Sequence, residues 1–153
     1  GIDLSDITYV TKEVHKERYN RCNVEFGDVL YIKDGATTGI VTVNNLDEPF
    51  SMLSSVALLK PFIFNRYLMY SMRSPIFYNE TRAQMYGVAI TRVTLEKLTN
   101  ALIPLPPLAE QKAIVERVDH LLSMVDELEK QVAERKTLAE DLMQSVLREA
   151  FEE

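Results

Sequence analysis

The last third of the chain carries a repeat that dictates what must lie beside it. Apolar residues recur at alternating spacings of four and three: Ile114, Val118, Leu121, Val125, Leu128, Val132, then Arg135, Ala139, Leu142 and Val146. Nine of these ten positions are apolar, and after Pro107 the chain has no glycine and no proline. A mean spacing of three and a half residues keeps one stripe of a helix facing one neighbour, which is the seam of a coiled coil. Such a stripe cannot be covered by the helix that bears it, and propensity alone is too weak to sustain an isolated helix. Residues 106–153 therefore read as one helical arm, about 65 Å long at about 1.5 Å per residue, that needs a partner helix. Arg135 is the polar break. It either pairs with an acid on the partner and sets the register, or lays its stem along the stripe with the guanidinium in water.

A proline-rich hinge, Ile103-Pro104-Leu105-Pro106-Pro107-Leu108, separates the arm from a head spanning residues 1–105. Prolines suit a helix start, where no N–H is lost, and Glu110 lies near the positive end of the helix dipole. Within the head, Thr11 is placed to cap a short helix around Lys12–Tyr19. Residues 26–46 read as a β-hairpin, with strands over Val29–Lys33 and Ile40–Val43 and the turn signals Asp34-Gly35 and Gly39 between them. A third strand is expected over Ser54–Lys60. Residues 65–83 read as helical, with Asn65 as a cap and Ser74-Pro75 starting a second helix. Met85–Ile90 reads as loop and strand, Thr94 as the cap of a helix over Leu95–Asn100, and Ala101–Leu105 as a last short strand. The fold class is α+β: a small, mixed, β-rich head followed by one long C-terminal coiled-coil helix.

Charge divides along the same boundary. Residues 1–105 hold 11 acidic and 11 basic side chains, whereas residues 106–153 hold 12 acidic and 6 basic. The net charge of −6 thus belongs to the arm, which is ill suited to lie along phosphates. No apolar run approaches the roughly 20 residues that span a bilayer, and no basic-then-apolar leader opens the chain. The single cysteine, Cys22, excludes an internal disulfide and a cysteine-based zinc site, so a cytoplasmic location is expected.

Catalytic chemistry finds little footing. His120 lies beside the seam and His15 in a polar helical stretch without a nucleophile nearby in sequence. No phosphate-binding loop, dinucleotide fingerprint, HExxH or metal-ligand spacing occurs. Cys22 follows Arg21, which could depress its pKa, but a lone half-buried thiol is the simpler reading. The chain reads as a binding module without a cofactor of its own.

Two groups have the chemistry of nucleic-acid contact. The hairpin tip Lys33–Gly39 offers the Lys33 cation, the Thr37 and Thr38 hydroxyls and backbone N–H groups, all of which grip phosphates or base edges. The second group is Arg82, Gln84 and Tyr86, followed by Thr91 and Arg92; Arg and Gln match the edges of G and A, and Tyr can stack. Arg73 could join Arg82 and Arg92 in a local basic cluster. An ordinary hairpin turn and a solvated loop explain the same residues, and the neutral head argues against strong nonspecific binding.

Taken together, these segments resemble the specificity subunit of type I restriction-modification enzymes. The resemblance rests on Leu102-Ile103-Pro104-Leu105-Pro106-Pro107-Leu108-Ala109-Glu110-Gln111 running on to Val118-Asp119, on Gly27-Asp28-Val29-Leu30 with Asp34-Gly35-Ala36-Thr37-Thr38-Gly39, and on Gly87 to Leu98. It covers nearly the whole chain. It implies a target recognition domain that reads one half of a split site in double-stranded DNA. It also implies a conserved helix in an antiparallel coiled coil that docks methyltransferase subunits and, through them, restriction subunits. S-adenosylmethionine is then expected only on the methyltransferase, and the specificity subunit is not itself an enzyme. This chain holds one recognition domain, expected to be truncated at its N-terminus, and one long helix, so it resembles a half-subunit. Two copies could pair their arms antiparallel through Ile114, Val118, Leu121, Val125, Leu128, Val132, Leu142 and Val146. The alternative is a coiled-coil protein-interaction adaptor whose head binds no DNA.

Overall fold

Residues rich in β-branched and aromatic side chains build three short strands: β1 (Val29–Ile32), β2 (Val41–Val43) and β3 (Val56–Leu59). The structure is a computed structural model and describes residues 2–82 and 92–151. The strands form an antiparallel sheet of order β2-β1-β3. Val29 pairs with Val43 on one side and Leu59 on the other, and Tyr31 with Val41 and Ala57. A slip of one residue would turn Val29 and Tyr31, both buried, out of the core. The β1–β2 connection closes where Gly39, at φ +99°, donates its N–H to the Ile32 carbonyl (2.8 Å). That left-handed conformation is why a glycine sits there.

Helix α1 (Lys12–Arg21) starts as expected, with the Thr11 hydroxyl accepting from the Val14 amide. Helices α2 (Asn65–Arg73) and α3 (Pro75–Arg82) are divided at Ser74, whose extended backbone suits the residue before a proline. Leu68, Met69 and Met72 of α2 and Phe77 of α3 pack with Val29, Tyr31, Val41, Ala57 and Val93 into one core, with the Tyr31 and Phe77 rings edge to face. Thr94 caps α4 (Leu95–Asn100) through the Lys97 amide.

Two local expectations change. Asn65 is the first residue of α2, not its cap; its Nδ2 donates to the Gly27 carbonyl (3.0 Å) and ties the helix to the turn before β1. The expected strand over Ala101–Leu105 does not form. Pro104 and Pro106 both lack the N–H that alternate positions of a ladder must offer to one edge. Side chains take this stretch instead: the Tyr67 hydroxyl donates to the Pro104 carbonyl (3.0 Å) and Gln111 Nε2 to the Pro106 carbonyl (2.8 Å). The expected loop and strand at Met85–Ile90 lies outside the described residues.

The arm is a single helix, α5 (Leu108–Phe151), of 44 residues. The chain divides into two compact units, Gly1–Lys112 and Ala113–Glu153. Along α5, Leu121, Val125, Leu128, Val132, Leu142 and Val146 are all exposed, while Ile114 and Val118 are half-buried. Leu122, Met124, Leu138 and Met143 are exposed beside them, so the apolar stripe is broader than the ten seam positions. No helix among the described residues is long and apolar enough to cross a membrane.

Candidate nucleic-acid interface

The hairpin tip is built by its own internal bonds. Thr38 is buried, and both its amide (3.2 Å) and its hydroxyl (2.6 Å) donate to the Gly35 carbonyl. Gly35 takes φ +100°, which lets the chain reverse there. Lys33 leaves the ladder. Its amide donates to the Ser55 carbonyl (2.8 Å), and its carbonyl accepts from the Val93 amide (2.7 Å). The Lys33 ammonium pairs with Asp34 and its side chain is only 12% exposed. Thr37 stands exposed at the tip.

The bond to Val93 has a wider effect, because it draws Arg92 of the second candidate group to the first. Asp34 and Arg92 form an isolated antiparallel bridge, and Arg92 Nε lies 3.2 Å from Asp34 Oδ1. The Arg92 side chain remains 69% exposed. The structure thus gathers Lys33, Asp34, Thr37 and Arg92 into one region. Arg73 is not shown joining it: its Nε (3.0 Å) and Nη2 donate to the Val41 carbonyl on the free edge of β2. That contact gives Arg73 a structural task at a strand edge. Gln84, Tyr86 and Thr91 lie outside the described residues, as does the side chain of Arg82.

Buried polar clamps that local sequence patterns do not disclose hold the framework. Asn44 is 1% exposed; its Nδ2 donates to the Glu25 carbonyl (2.9 Å), and its backbone bonds both Gly27 and Asp28. Asp28, also buried, accepts from the Glu25 amide (2.8 Å) and lies 3.3 Å from the Lys60 ammonium. Lys60 in turn bonds Glu25 (2.8 Å), and that hydrogen bond holds the Glu25 carboxyl below, and the Lys60 ammonium above, their ordinary pKa values. Gln111 spans the Phe64 amide and the Pro106 carbonyl. Each clamp joins segments distant in sequence; the only local hints were a polar residue at a strand end or beside the prolines.

Of the residues weighed for catalysis, His15 takes a structural role. His15 Nδ1 lies 2.9 Å from the Ser51 hydroxyl and its ring packs against Tyr19, fastening α1 to the segment before β3. Burial pushes the Cys22 thiol up from its ordinary pKa, opposite to an activated thiolate. Among the described residues, no group of three His, Cys, Asp or Glu side chains is placed to hold a metal.

Comparison with known proteins places this arrangement. The chain is 31% identical to the type I restriction enzyme EcoBI specificity subunit of Escherichia coli, over 98% of the chain and 32% of that protein. It is 26% identical to the EcoKI specificity subunit of Escherichia coli strain K12, over 95% of the chain and 32% of that protein. The chain thus spans about a third of the length of the curated relatives it matches. A solved chain described under the structural basis of complex assembly and conformational transition of the type I R-M system superposes with a TM-score of 0.71. It is 30% identical, and the match covers 84% of this chain and 34% of that one. The family model of the type I restriction modification DNA specificity domain matches residues 3–135. Because that match takes in the sheet, the hairpin tip, the proline hinge and more than half of α5, the chain belongs to the family of type I restriction-modification DNA specificity domains.

Proposed function

We propose that the chain is a DNA-recognising part of a type I specificity subunit, without catalysis of its own, that reads one half of a split site in double-stranded DNA. The observation that carries this reading is the Asp34–Arg92 bridge, which sets an exposed arginine beside the hairpin tip in a member of a DNA specificity family. Lys33, Thr37, Thr38, Arg73, Arg82, Gln84, Tyr86, Thr91 and Arg92 are the proposed contact set. Within it, the bonding of Thr38 and Arg73 favours a supporting role for those two.

The arm acts as the spacer. Its stripe pairs antiparallel with a second long helix, supplied by a second copy, and separates two heads by roughly the 65 Å of the rod. Each large seam side chain contributes about 1.5–3 kcal/mol when fully buried, so the seam is ample to hold such a pair. The extra apolar width at Leu122, Met124, Leu138 and Met143 supports docking of a methyltransferase subunit as well. That subunit would carry S-adenosylmethionine and link to the restriction subunits, all in the cytoplasm.

The uncovered stripe and the neutral head also favour a second reading, in which the chain is a coiled-coil adaptor whose head binds no DNA. A gel shift of the whole chain, on the duplexes that survive repeated selection by it from a randomised pool, separates the two. DNA recognition gives a shift at about 50 mM salt that weakens steeply by about 200 mM, as counterion release requires. No shift at either salt would leave the adaptor.

A further inference from the structure

We propose that Asp34 is a positioning residue for DNA reading: it holds the Arg92 guanidinium so that its outer edge is presented to a guanine. The proposal rests on the DNA-recognition reading above and assigns that site a specificity determinant.

Three observations carry it. The backbones of residues 34 and 92 are bridged, and the Val93 amide donates to the Lys33 carbonyl at 2.7 Å, so the root of the Arg92 side chain is fixed against the tip. Asp34 Oδ1 is buried and has no aligned hydrogen bond among the described residues; the charge that compensates it is Arg92 Nε, 3.2 Å away. The other carboxylate oxygen is held by the Lys33 ammonium, so the carboxylate is itself anchored and cannot swing after the arginine.

The guanidinium is planar and rigid. Pairing through Nε, 3.2 Å from a fixed carboxylate, confines the guanidinium near the tip and leaves the Nη1–Nη2 edge untaken by Asp34. That edge is the fork that matches O6 and N7 of guanine in the major groove. A side chain 69% exposed would otherwise sample many rotamers and lose affinity on being ordered. The ion pair removes that loss before DNA arrives. The exposed Arg92 side of the pair contributes little to stability, whereas Asp34 also neutralises a Lys33 side chain only 12% exposed, so Asp34 bears on folding as well as on reading.

The test presents the whole chain with a duplex library of randomised core, followed by sequencing of the bound duplexes. Wild type is expected to enrich a half-site that contains a guanine. Arg92→Lys and Asp34→Asn are each expected to lower the preference at that same guanine by about tenfold and to leave the other positions unchanged; the thermal midpoint stays in place for Arg92→Lys and falls for Asp34→Asn, which strips Lys33 of its counter-charge. A merely structural Asp34 would weaken all positions together. Should Asp34→Asn fail to melt cooperatively, Asp34→Glu replaces it; the charge is kept but displaced, and the same preference is expected to fall. The proposal is overturned, with DNA recognition intact, if wild type enriches a site and either Arg92→Lys or the folded Asp34 variant keeps the full guanine preference. If wild type enriches no sequence, the recognition reading fails and takes the proposal with it.

Discussion

Replacing Gln111 with alanine should loosen the head although Gln111 belongs to the first turn of the arm. The side chain is 4% exposed and makes two bonds: Oε1 accepts from the Phe64 amide at 3.0 Å and Nε2 donates to the Pro106 carbonyl at 2.8 Å. Phe64 caps α2 with no side-chain bond of its own, so Gln111 serves as the cap from a remote segment. Alanine strands both backbone groups. An unsatisfied buried group costs about 1–3 kcal/mol; Phe64 and Pro106 are only half-buried, so water relieves part of this and the sum is about 2 kcal/mol. At about 4–8 °C per kcal/mol for a domain of this size, the midpoint falls by roughly 8–16 °C. All seven tyrosines lie within residues 1–105, so the tyrosine band of near-ultraviolet circular dichroism during thermal and urea melts reports the head while α5 does not contribute to it. Gln111→Glu keeps the acceptor for Phe64 but sets a buried carboxylate oxygen against the Pro106 carbonyl oxygen, so it should destabilise at least as much as alanine. A Gln111→Ala variant within about 0.5 kcal/mol of wild type, the scatter of ordinary surface changes, would refute the clamp.

Three further outcomes are expected. Leu121→Asp puts a charge in the middle of the exposed stripe and should convert a sedimenting dimer to a monomer; an unchanged dimer in that variant would reject the pairing of arms. Gly27→Ala should cost about 1–2 kcal/mol in urea melts, because Gly27 sits at φ +87° and a Cβ there would meet Asn65 Nδ2 at 3.2 Å. A neutral result would show that the turn can relax. The Glu25 carboxyl is held below its ordinary value of 4.5 by the Lys60 hydrogen bond, so the stability it contributes is present above pH 4.5 and disappears as pH falls through the lowered value. Wild type should therefore exceed Glu25→Gln in urea melts at neutral pH and converge with it in acid; a gap unchanged down to about pH 2 would contradict the assignment.

The legible features are the ones governed by neighbours in sequence. The four-three repeat gives α5 because a helix places every third and fourth residue on one face, whatever surrounds it. Thr11 and Thr94 cap as expected because a cap reaches only two or three residues ahead. Gly39 marks the hairpin because its backbone conformation excludes most side chains. The strand expected at Ala101–Leu105 does not form because Pro104 leaves a gap in any ladder, and side chains take the carbonyls of Pro104 and, just beyond, Pro106.

The chain order alone, then, is enough to establish a head of mixed α and β structure, one long helical rod over the last third and a greasy stripe in search of a cover. It could not say that Asp34 faces Arg92, that Gln111 caps α2, or that the Arg73 guanidinium bonds the Val41 carbonyl at the edge of β2. Those pairings join residues whose separation carries no period and no motif. They exist only because the packed core brings distant backbone into register, and a buried polar group then takes whichever partner that packing leaves within about 3 Å.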